Sequence, residues 1–287
     1  MTISAAQEFL YHHARVLDRH RFAYLFAGGD PDQVLRALDA YRNPDGGYGH
    51  ALEPDGRGPD SQPLATLTAL MVLTEVGALA EHAKPVADYL TSISDPSGAV
   101  PFAVPAGEYP HSPWWQESTT GSLLPTANLA GALAGVAHPW VARAEEFCWT
   151  RIDALTESHP YEIRGALSFL ERAEDRTRAA TAAARLGELV RSSRLVRLTT
   201  DTGEAPQGYT AAELPYPHEY APTPDCLAAS WFTTAEMADS LDALLSERTE
   251  GGWFPRWLIW TPAVKHEWAG PVTIEALTTL RAHGREL

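Results

Sequence analysis

The sequence predicts an all-α protein, an α/α barrel (toroid) of about six degenerate helical hairpins, each of roughly fifty residues. Three observations predict this fold: glycine-rich turns recur at a regular interval, matching helices follow two of those turns, and short connections alternate with long ones. No stretch shows the sustained apolar–polar alternation that a large sheet requires. No linker-like stretch divides the chain, so we expect one domain over residues 1–287.

Glycine-rich turns mark the repeat. Two of them, Asp45–Gly49 and Glu250–Phe254, share an acid, two glycines and an aromatic residue. Weaker versions lie at Asp95–Gly98 and Asp201–Gly203. The marker glycines are separated by 51, 105 and 49 residues, in the order Gly47, Gly98, Gly203 and Gly252. One period of about fifty residues fits all three gaps if the longest gap contains a repeat that has lost its turn.

The helices that follow two of these turns also match. Thr66–Leu70 begins 19 residues after Gly47, and Thr273–Leu277 begins 21 residues after Gly252. In register, the matched pairs are Thr66 with Thr273, Ala69 with Ala276, Leu70 with Leu277, Leu73 with Leu280, and Gly77 with Gly284. The first four pairs lie on one helical face, and the glycines stand where a helix C-cap is expected.

Apolar periodicity and turn residues together predict the positions of the helices. The helices are expected at residues 4–25, 31–42, 62–76, 79–93, 122–136, 139–155, 160–173, 175–193, 234–247 and 271–283. The long connections, at about 43–61, 94–121, 196–230 and 249–270, hold most of the glycine, proline and tryptophan. This alternation favours hairpins in a ring with the long loops on one rim. The small residues of Leu123–Val136 suit an inner helix that its neighbours approach closely.

Composition excludes several classes of protein. The 45% hydrophobic and 21% charged residues are typical of a globular chain, and the net charge of −15 without a basic run argues against a nucleic-acid partner. Cys148 and Cys226 provide neither a disulfide framework nor a four-cysteine metal site. The N-terminal segment lacks the apolar run of a signal peptide or a membrane span. We therefore expect a cytoplasmic protein with no integral membrane segment.

The Asp45–Gly49 and Glu250–Phe254 turns, with their Thr-x-x-Ala-Leu helices, resemble the repeats of squalene–hopene cyclases and protein prenyltransferase β subunits. The resemblance to this terpenoid cyclase and prenyltransferase superfamily implies an α/α barrel that acts on isoprenoids. The cyclase motif Asp-x-Asp-Asp does not occur, although Asp60 opens a predicted helix in a comparable setting. The prenyltransferase zinc pair Asp-x-Cys is replaced by the adjacent Asp225 and Cys226.

The catalytic candidates lie in the loop from Gly49 to Asp60. This loop gathers a histidine, three carboxylates and an arginine between glycines and prolines, and the candidates are His50, Glu53, Asp55 and Asp60. Neighbouring carboxylates raise one another's pKa, so one of them could act as a proton donor. The alternative is structural: a hydrogen-bonded turn in which Asp60 or Ser61 caps the next helix.

The substrate-binding candidates lie in the other long loops, where aromatic residues accompany glutamates and histidines. They are Trp114, Trp115, Glu117, His218, Glu219, Tyr220, Trp257, Trp260, His266, Glu267 and Trp268. Tryptophans in proline-rich loops are costly to expose, so they line a pocket or pack against a neighbouring loop. The His-Glu dipeptides lack the helical His spacing of zinc enzymes, and we expect no metal and no cofactor.

These candidates predict an enzyme that uses a carboxylic acid in an aromatic-lined, apolar pocket on an isoprenoid or similar hydrophobic small molecule. A carbohydrate-active α/α-barrel enzyme is the nearest alternative, because paired carboxylates and tryptophan platforms also suit sugars. A binding or scaffold protein without catalysis is the third. The sequence leaves the oligomeric state open.

Overall fold

The structure is a computed structural model that describes residues 2–198 and 213–287. Within them it forms helices and no strand, which confirms the all-α prediction. The helices are α1 Ile3–His13, α2 Val16–Ala27, α3 Pro31–Asp39, α4 Pro63–Glu75, α5 Leu79–Ile93, α6 Leu123–Ala132, α7 Pro139–Ala154, α8 Pro160–Leu170, α9 Arg176–Ser192, α10 Pro217–Tyr220, α11 Thr234–Ser246 and α12 Pro262–Ala282. The weak turn Asp201–Gly203 lies outside the described residues.

The first predicted helix, 4–25, is two helices. Ala14 and Arg15 adopt extended backbone between α1 and α2. Side chains compensate the broken helical bonds: Arg19 donates to the Ala14 carbonyl at 2.9 Å, and Arg15 donates to Asp18 at 2.9 Å. Because these contacts are made by individual polar side chains, apolar periodicity alone does not reveal the break.

The last helix begins nine residues earlier than the prediction of 271–283. Thr261 caps its first turn, Pro262 occupies the first helical position, and the helix continues through Pro271. Proline fits the first turn of a helix but removes a hydrogen bond from its interior, so a proline favours a helix start, whereas this helix continues through Pro271. The long connection 196–230 also contains two short elements, α10 and a 3-10 helix at Leu227–Trp231.

Contacts divide the chain into two compact units, Met1–Asp30 with Ala180–Leu287, and Pro31–Ala179. The prediction of a single domain over 1–287 stays a prediction. In the unit 31–179, α6 contacts α4, α7 and α8, while α5 contacts α4 and α7. A Cβ at Gly131 on α6 would lie 2.5 Å from the Ser168 carbonyl oxygen of α8, and one at Gly165 on α8 would lie 2.9 Å from the Leu124 carbonyl oxygen of α6. The small residues therefore allow the close approach that the sequence predicts for this helix.

In the unit formed by residues 1–30 and 180–287, the N-terminal and C-terminal helices pack together. α12 contacts both α1 and α2, and α10 contacts α11. Phe9, Leu10, Trp253 and Leu277 are among the buried residues of this core. The Trp253 indole N–H donates to the Leu244 carbonyl at 2.7 Å, so its polar atom is satisfied inside the core.

A buried hydroxyl ties each turn to the helix that follows it. Thr66 accepts the Tyr48 N–H at 3.1 Å, and Thr273 accepts the Trp253 N–H at 3.0 Å, which confirms the predicted register of these two repeats. Two more pairs make the same bond: the Val100 N–H donates to Thr126 at 2.9 Å, and the His218 N–H donates to Ser240 at 3.1 Å. The same bond from a backbone N–H to a buried hydroxyl therefore occurs at four places in the described residues.

Replacing any of these threonines by valine tests the role of the hydroxyl. Thr66→Val, Thr126→Val and Thr273→Val keep the shape but leave a buried N–H without an acceptor, so each is expected to lower the free energy of unfolding by about 1–3 kcal/mol. Chemical denaturation measures this change. The control is Thr74→Val on α4, where the threonine is exposed and we expect a change within about 0.5 kcal/mol. Equal effects at Thr74 and Thr66 would contradict the assignment.

Candidate functional site

The unit 31–179 has an open surface cavity of about 460 Å³, which we call the Asp60 cavity, and four of its lining residues are exposed: Pro44, Asp45, Asp60 and Ser92. Its lining residues come from the first glycine-rich turn, the start of α4, the end of α5 and the following loop. They are Asn43, Pro44, Asp45, Asp60, Ser61, Tyr89, Ser92, Ile93 and Val104. Most of these residues carry hydrogen-bonding groups, and a volume of this size falls within the range of small-molecule sites.

A hydrogen-bond network fixes one side of the Asp60 cavity. One carboxylate oxygen of Asp45 accepts from the Gly47 N–H at 2.9 Å and from the Ser61 hydroxyl at 2.8 Å. The Asn43 amide donates to Ser61 at 3.0 Å, and His50 Nε2 lies 3.1 Å from the Asn43 amide oxygen. The network connects the predicted candidate His50 with the turn acid Asp45. It holds the Asp45 carboxylate in one orientation.

The charge of the Asp60 cavity is uncompensated. Among its described lining residues are two carboxylates, Asp45 and Asp60, and no lysine, arginine or histidine. Within the described chain the exposed Asp60 side chain makes no hydrogen bond or ion pair. A cavity with this charge repels phosphates and attracts hydroxyl donors or cations.

Tyr89 on α5 is the most buried large side chain of the cavity lining, with 4% of its surface exposed. Its hydroxyl has no hydrogen-bond partner in the described residues. Burial, and secondarily the charge of Asp45, raise the pKa of Tyr89, so its hydroxyl stays protonated. A Cβ at Gly47 would lie 2.9 Å from the Tyr89 ring, so the second glycine of the turn provides the space for it.

The loop after this turn has an unusual backbone. His50 and Ala51 both adopt left-handed conformations, with φ of 55° and 60°. Side chains other than glycine rarely adopt this region, and two consecutive cases indicate that the surrounding structure imposes them. The His50 N–H donates to the Gly58 carbonyl at 3.1 Å, which closes the loop 50–58. This imposed geometry brings the His50 ring to Asn43.

Asp55 belongs to a second arrangement, where the loops 43–61 and 94–121 meet. Its carboxylate is 7% exposed and accepts the Trp114 indole N–H at 2.9 Å, while its carbonyl accepts the Ser112 N–H at 2.8 Å. A Cβ at Gly56 would lie 2.6 Å from the Trp115 ring. The cavity beside Trp115, which Glu117 and Arg57 also line, holds only about 20 Å³. That volume suits about one water molecule.

The structure thus brings some of the predicted residues together and separates others. Asp60 lines the larger cavity, and His50 joins it through Asn43. Asp55 contacts Trp114, and Trp115 and Glu117 border the smaller cavity. Glu53, which lies between His50 and Asp55 in the sequence, is partly buried and lines neither of the two cavities. The loops 43–61 and 94–121 therefore meet, and the shared rim of all four long loops stays a prediction.

In the other unit, the predicted residues of α10 form a compact polar group. Tyr216 stacks on His218 with ring centroids 5.6 Å apart, and the His218 ring lies 2.6 Å from the Ser240 hydroxyl. Glu219 pairs with Arg256. The Tyr220 hydroxyl donates to the Leu195 carbonyl at 2.7 Å. Each of these side chains therefore has a stacking, hydrogen-bond or ion-pair partner, which is typical of residues with a structural role.

A glutamate that the sequence analysis did not select borders this group. Glu247 accepts from the Tyr216 hydroxyl at 3.3 Å and lies 3.5 Å from the Arg256 guanidinium. Burial raises the pKa of Glu247, and the nearby Arg256 opposes that shift. The sequence gives no signal for it, because it belongs to no motif and its partners Tyr216 and Arg256 lie elsewhere in the chain.

The last predicted group surrounds the start of α12. The His266 ring stacks on His13 with the two Nδ1 atoms 3.2 Å apart, and Trp257 meets Trp268 edge to face at 5.2 Å. Glu267 and Trp260 lie close to these residues in the sequence, and both are partly buried. His13, from α1, was not selected from the sequence, because its partner is 253 residues away. In the described residues no three His, Cys, Asp or Glu side chains form a group that could hold a metal ion.

Comparison with known proteins identifies a fold and no family. No protein-family model matches the chain, and no curated protein matches it. Among solved structures, the chain is similar to the crystal structure of a protein from Actinoplanes, with a TM-score of 0.62 and 16% identity over 98% of each chain. At this identity the likeness concerns the fold alone. This match does not indicate the terpenoid cyclase and prenyltransferase superfamily, which stays a prediction.

The described helices also bear on the membrane prediction. None of them has both the length and the apolar character needed to cross a bilayer. The cytoplasmic location and the absence of a nucleic-acid partner stay predictions.

Proposed function

We propose that this chain is a carbohydrate-active enzyme of the α/α-barrel type, which binds a hydroxyl-rich small molecule in the Asp60 cavity. The observation that carries the proposal is that Asp45 and Asp60 both line a cavity of about 460 Å³ whose described lining has no basic residue. Carboxylates accept hydrogen bonds from sugar hydroxyls, and a pair of them is the usual catalytic equipment of glycoside hydrolases. The proposal includes the fold as well, which would be a closed toroid of six helical hairpins.

The two carboxylates differ in a way that suits two roles. Asp45 is held by the Gly47 N–H and the Ser61 hydroxyl, so it is oriented to accept a proton from an attacking water. Asp60 has no partner in the described chain and is free to contact the leaving oxygen of the substrate. In this scheme the water oxygen bonds to carbon as its proton passes to Asp45, the bond between carbon and the leaving oxygen breaks, and that oxygen takes a proton from a solvent water that Asp60 orients.

The charge of the cavity argues against a phosphorylated substrate at this position. A prenyl diphosphate would place several negative charges beside Asp45 and Asp60 with no lining cation to offset them. A second candidate function, isoprenoid chemistry with Asp55 as the acid, is favoured by one observation. Its buried carboxylate is bonded to an indole and lies beside aromatic rings, as in a site that stabilises a carbocation.

Asp60→Asn tests the proposed function. Because the Asp60 side chain makes no hydrogen bond or ion pair within the described chain, the variant is expected to melt at the wild-type temperature, while its affinity for a bound saccharide falls at least about tenfold. Thermal shift and titration calorimetry with glucose, glucosamine, maltose and cellobiose measure both quantities, and geranylgeranyl diphosphate serves as the isoprenoid probe. Hydrolysis of the disaccharides is followed in parallel.

Asp95→Asn is the matched control. Asp95 occupies the corresponding turn of the next repeat, where it accepts from the Ser97 N–H at 2.8 Å, and it does not line the cavity. We expect a lower melting temperature and unchanged saccharide binding. If the wild type binds only geranylgeranyl diphosphate, the carbohydrate proposal is wrong. If the wild type binds a saccharide without hydrolysing it, and Asp60→Asn loses that binding, the proposed ligand is supported and the proposed catalysis is contradicted.

A further inference from the structure

Two histidines that are far apart in the sequence meet where α1 packs against α12. The Nδ1 atoms of His13 and His266 are 3.2 Å apart, while the centroids of the two rings are 5.2 Å apart. Because the nitrogens are much closer together than the ring centres, the two nearly parallel rings are offset and meet by their Nδ1 edges. Two nitrogen lone pairs at this distance repel each other, so a proton or a metal ion must lie between them.

The spacing of the two nitrogens fits a metal ion as well as it fits a proton. A tetrahedral Zn²⁺ ion with Zn–N bonds of about 2.0–2.1 Å holds two imidazole nitrogens about 3.3 Å apart and the centres of their rings about 5 Å apart. Neutral imidazole is a ligand that suits Zn²⁺, Ni²⁺ and Cu²⁺. His266 is exposed, and 19% of the His13 side chain is exposed, so solvent reaches both side chains.

A carboxylate orients the more buried of the two rings. Glu250 Oε2 lies 3.5 Å from His13 Nε2, and its charge favours the tautomer with the proton on that nitrogen. The lone pair of His13 is then on Nδ1, which faces His266, and metal-binding histidines usually have such a carboxylate on the far nitrogen. Glu250 is the acid of the second glycine-rich turn. In the first turn, the corresponding Asp45 bonds to the Gly47 N–H of its own turn, whereas Glu250 pairs with His13.

We propose that His13 and His266 bind a divalent transition-metal ion such as Zn²⁺ through their Nδ1 atoms, with water completing the coordination. The ion takes the place of the proton between the two nitrogens, and His266 then carries its proton on Nε2. Lys265 opposes a second cation, because its ammonium lies 4.1 Å from the centroid of the Phe254 ring, which contacts both imidazoles. The bound ion links α1 to α12, and the proposal is independent of the Asp60 cavity.

His266→Phe tests the site, because phenylalanine keeps a ring against Phe254 and removes the ligand nitrogen. Titration calorimetry of the untagged wild type with Zn²⁺ is expected to show one bound ion per chain. The wild type is also expected to melt at a higher temperature with Zn²⁺ than with EDTA, since an ion that binds only the folded chain stabilises it. In His266→Phe we expect the zinc affinity to fall at least about tenfold and the zinc-dependent rise in melting temperature to disappear.

Glu250→Gln provides a second test that leaves both ligands in place. The Glu250 side chain is 70% exposed, so this variant is expected to fold as the wild type does. Its zinc affinity is expected to fall about tenfold, the lower end of the loss that follows removal of the partner of a metal-binding histidine.

His12→Phe is the matched control. His12 is the exposed neighbour of His13 on α1, with the two ring centroids 6.1 Å apart, and this variant is expected to keep the wild-type zinc affinity. Unchanged zinc binding in His266→Phe would place the ion elsewhere in the chain. Equal losses in His266→Phe and His12→Phe would contradict the specific pairing of His13 with His266. Either result, or the absence of zinc binding by the wild type, would overturn the inference.

Discussion

Asp18→Ala is expected to lower the free energy of unfolding by about 3–5 kcal/mol. Asp18 on α2 is fully buried, and its two oxygens bind Arg15 at 2.9 Å and Arg21 at 3.2 Å. Removal of the carboxylate takes a buried ion-pair partner from the largely buried Arg21 guanidinium, and the loss of a buried ion pair costs more than the loss of a surface contact. Chemical denaturation of the ligand-free chain measures the change.

The matched control is Asp242→Ala in the same unit. Asp242 pairs with Arg285 at 3.0 Å, but its side chain is 63% exposed, so solvent screens the pair. We expect a loss of about 0–1 kcal/mol there. Gly270 on α12 fits against Asp18, since a Cβ would lie 2.5 Å from the Asp18 Cβ. If both variants lose the same free energy, the special contribution of the buried cluster is contradicted.

Gly46→Ala is expected to lower the free energy of unfolding by about 2–5 kcal/mol, through two effects. Gly46 has a φ of 92°, where a side chain is strained by about 1–2 kcal/mol. In addition, its Cβ would lie 2.3 Å from the Pro85 carbonyl oxygen on α5, so the backbone must shift, at a further cost of about 1–3 kcal/mol. The turn carries Asp45, so saccharide binding should weaken as well.

Gly77→Ala separates the two effects. Gly77 also has a positive φ, of 73°, but no atom lies within 4 Å of the position its Cβ would take. Only the conformational cost of about 1–2 kcal/mol applies there, and saccharide binding should be unchanged. Equal losses of stability in the two variants would show that contact with α5 does not explain the first glycine of the turn.

These two glycines also show what a sequence pattern can determine. The repeated Asp-Gly-Gly-aromatic turn and the C-cap glycines follow from local backbone requirements, which any fold of this chain must meet. For the same reason the predicted helices mostly agree with the observed ones, since apolar periodicity and helix caps act over a few residues. The predicted helix bounds are wrong at two positions, the break before Val16 and the helix interior at Pro271, where contacts beyond the local pattern decide the structure.

The geometry of the candidate site depends on contacts between residues distant in the sequence, and it does so to a greater extent than the positions of the helices do. The sequence placed His50, Glu53, Asp55 and Asp60 in one loop, but only packing separated Asp60, which lines the larger cavity, from Asp55, whose carboxylate is bonded to Trp114. Asp45 was interpreted as a turn residue, and the structure gives it that role and a place in the cavity lining as well.

By itself, the sequence determined that the chain is helical, where most helices lie, and which turns repeat, because these properties are set by neighbours within about one helical turn. Only the tertiary structure decided that, within the described residues, Tyr89 is buried without a hydrogen-bond partner, Asp60 lines a cavity without a basic residue, and Thr126 and Ser240 accept backbone N–H bonds as Thr66 and Thr273 do. Each of these depends on contacts between segments about 20 or more residues apart in the chain. Residue type and periodicity do not predict such contacts, since the same tyrosine, aspartate or threonine fits many surroundings.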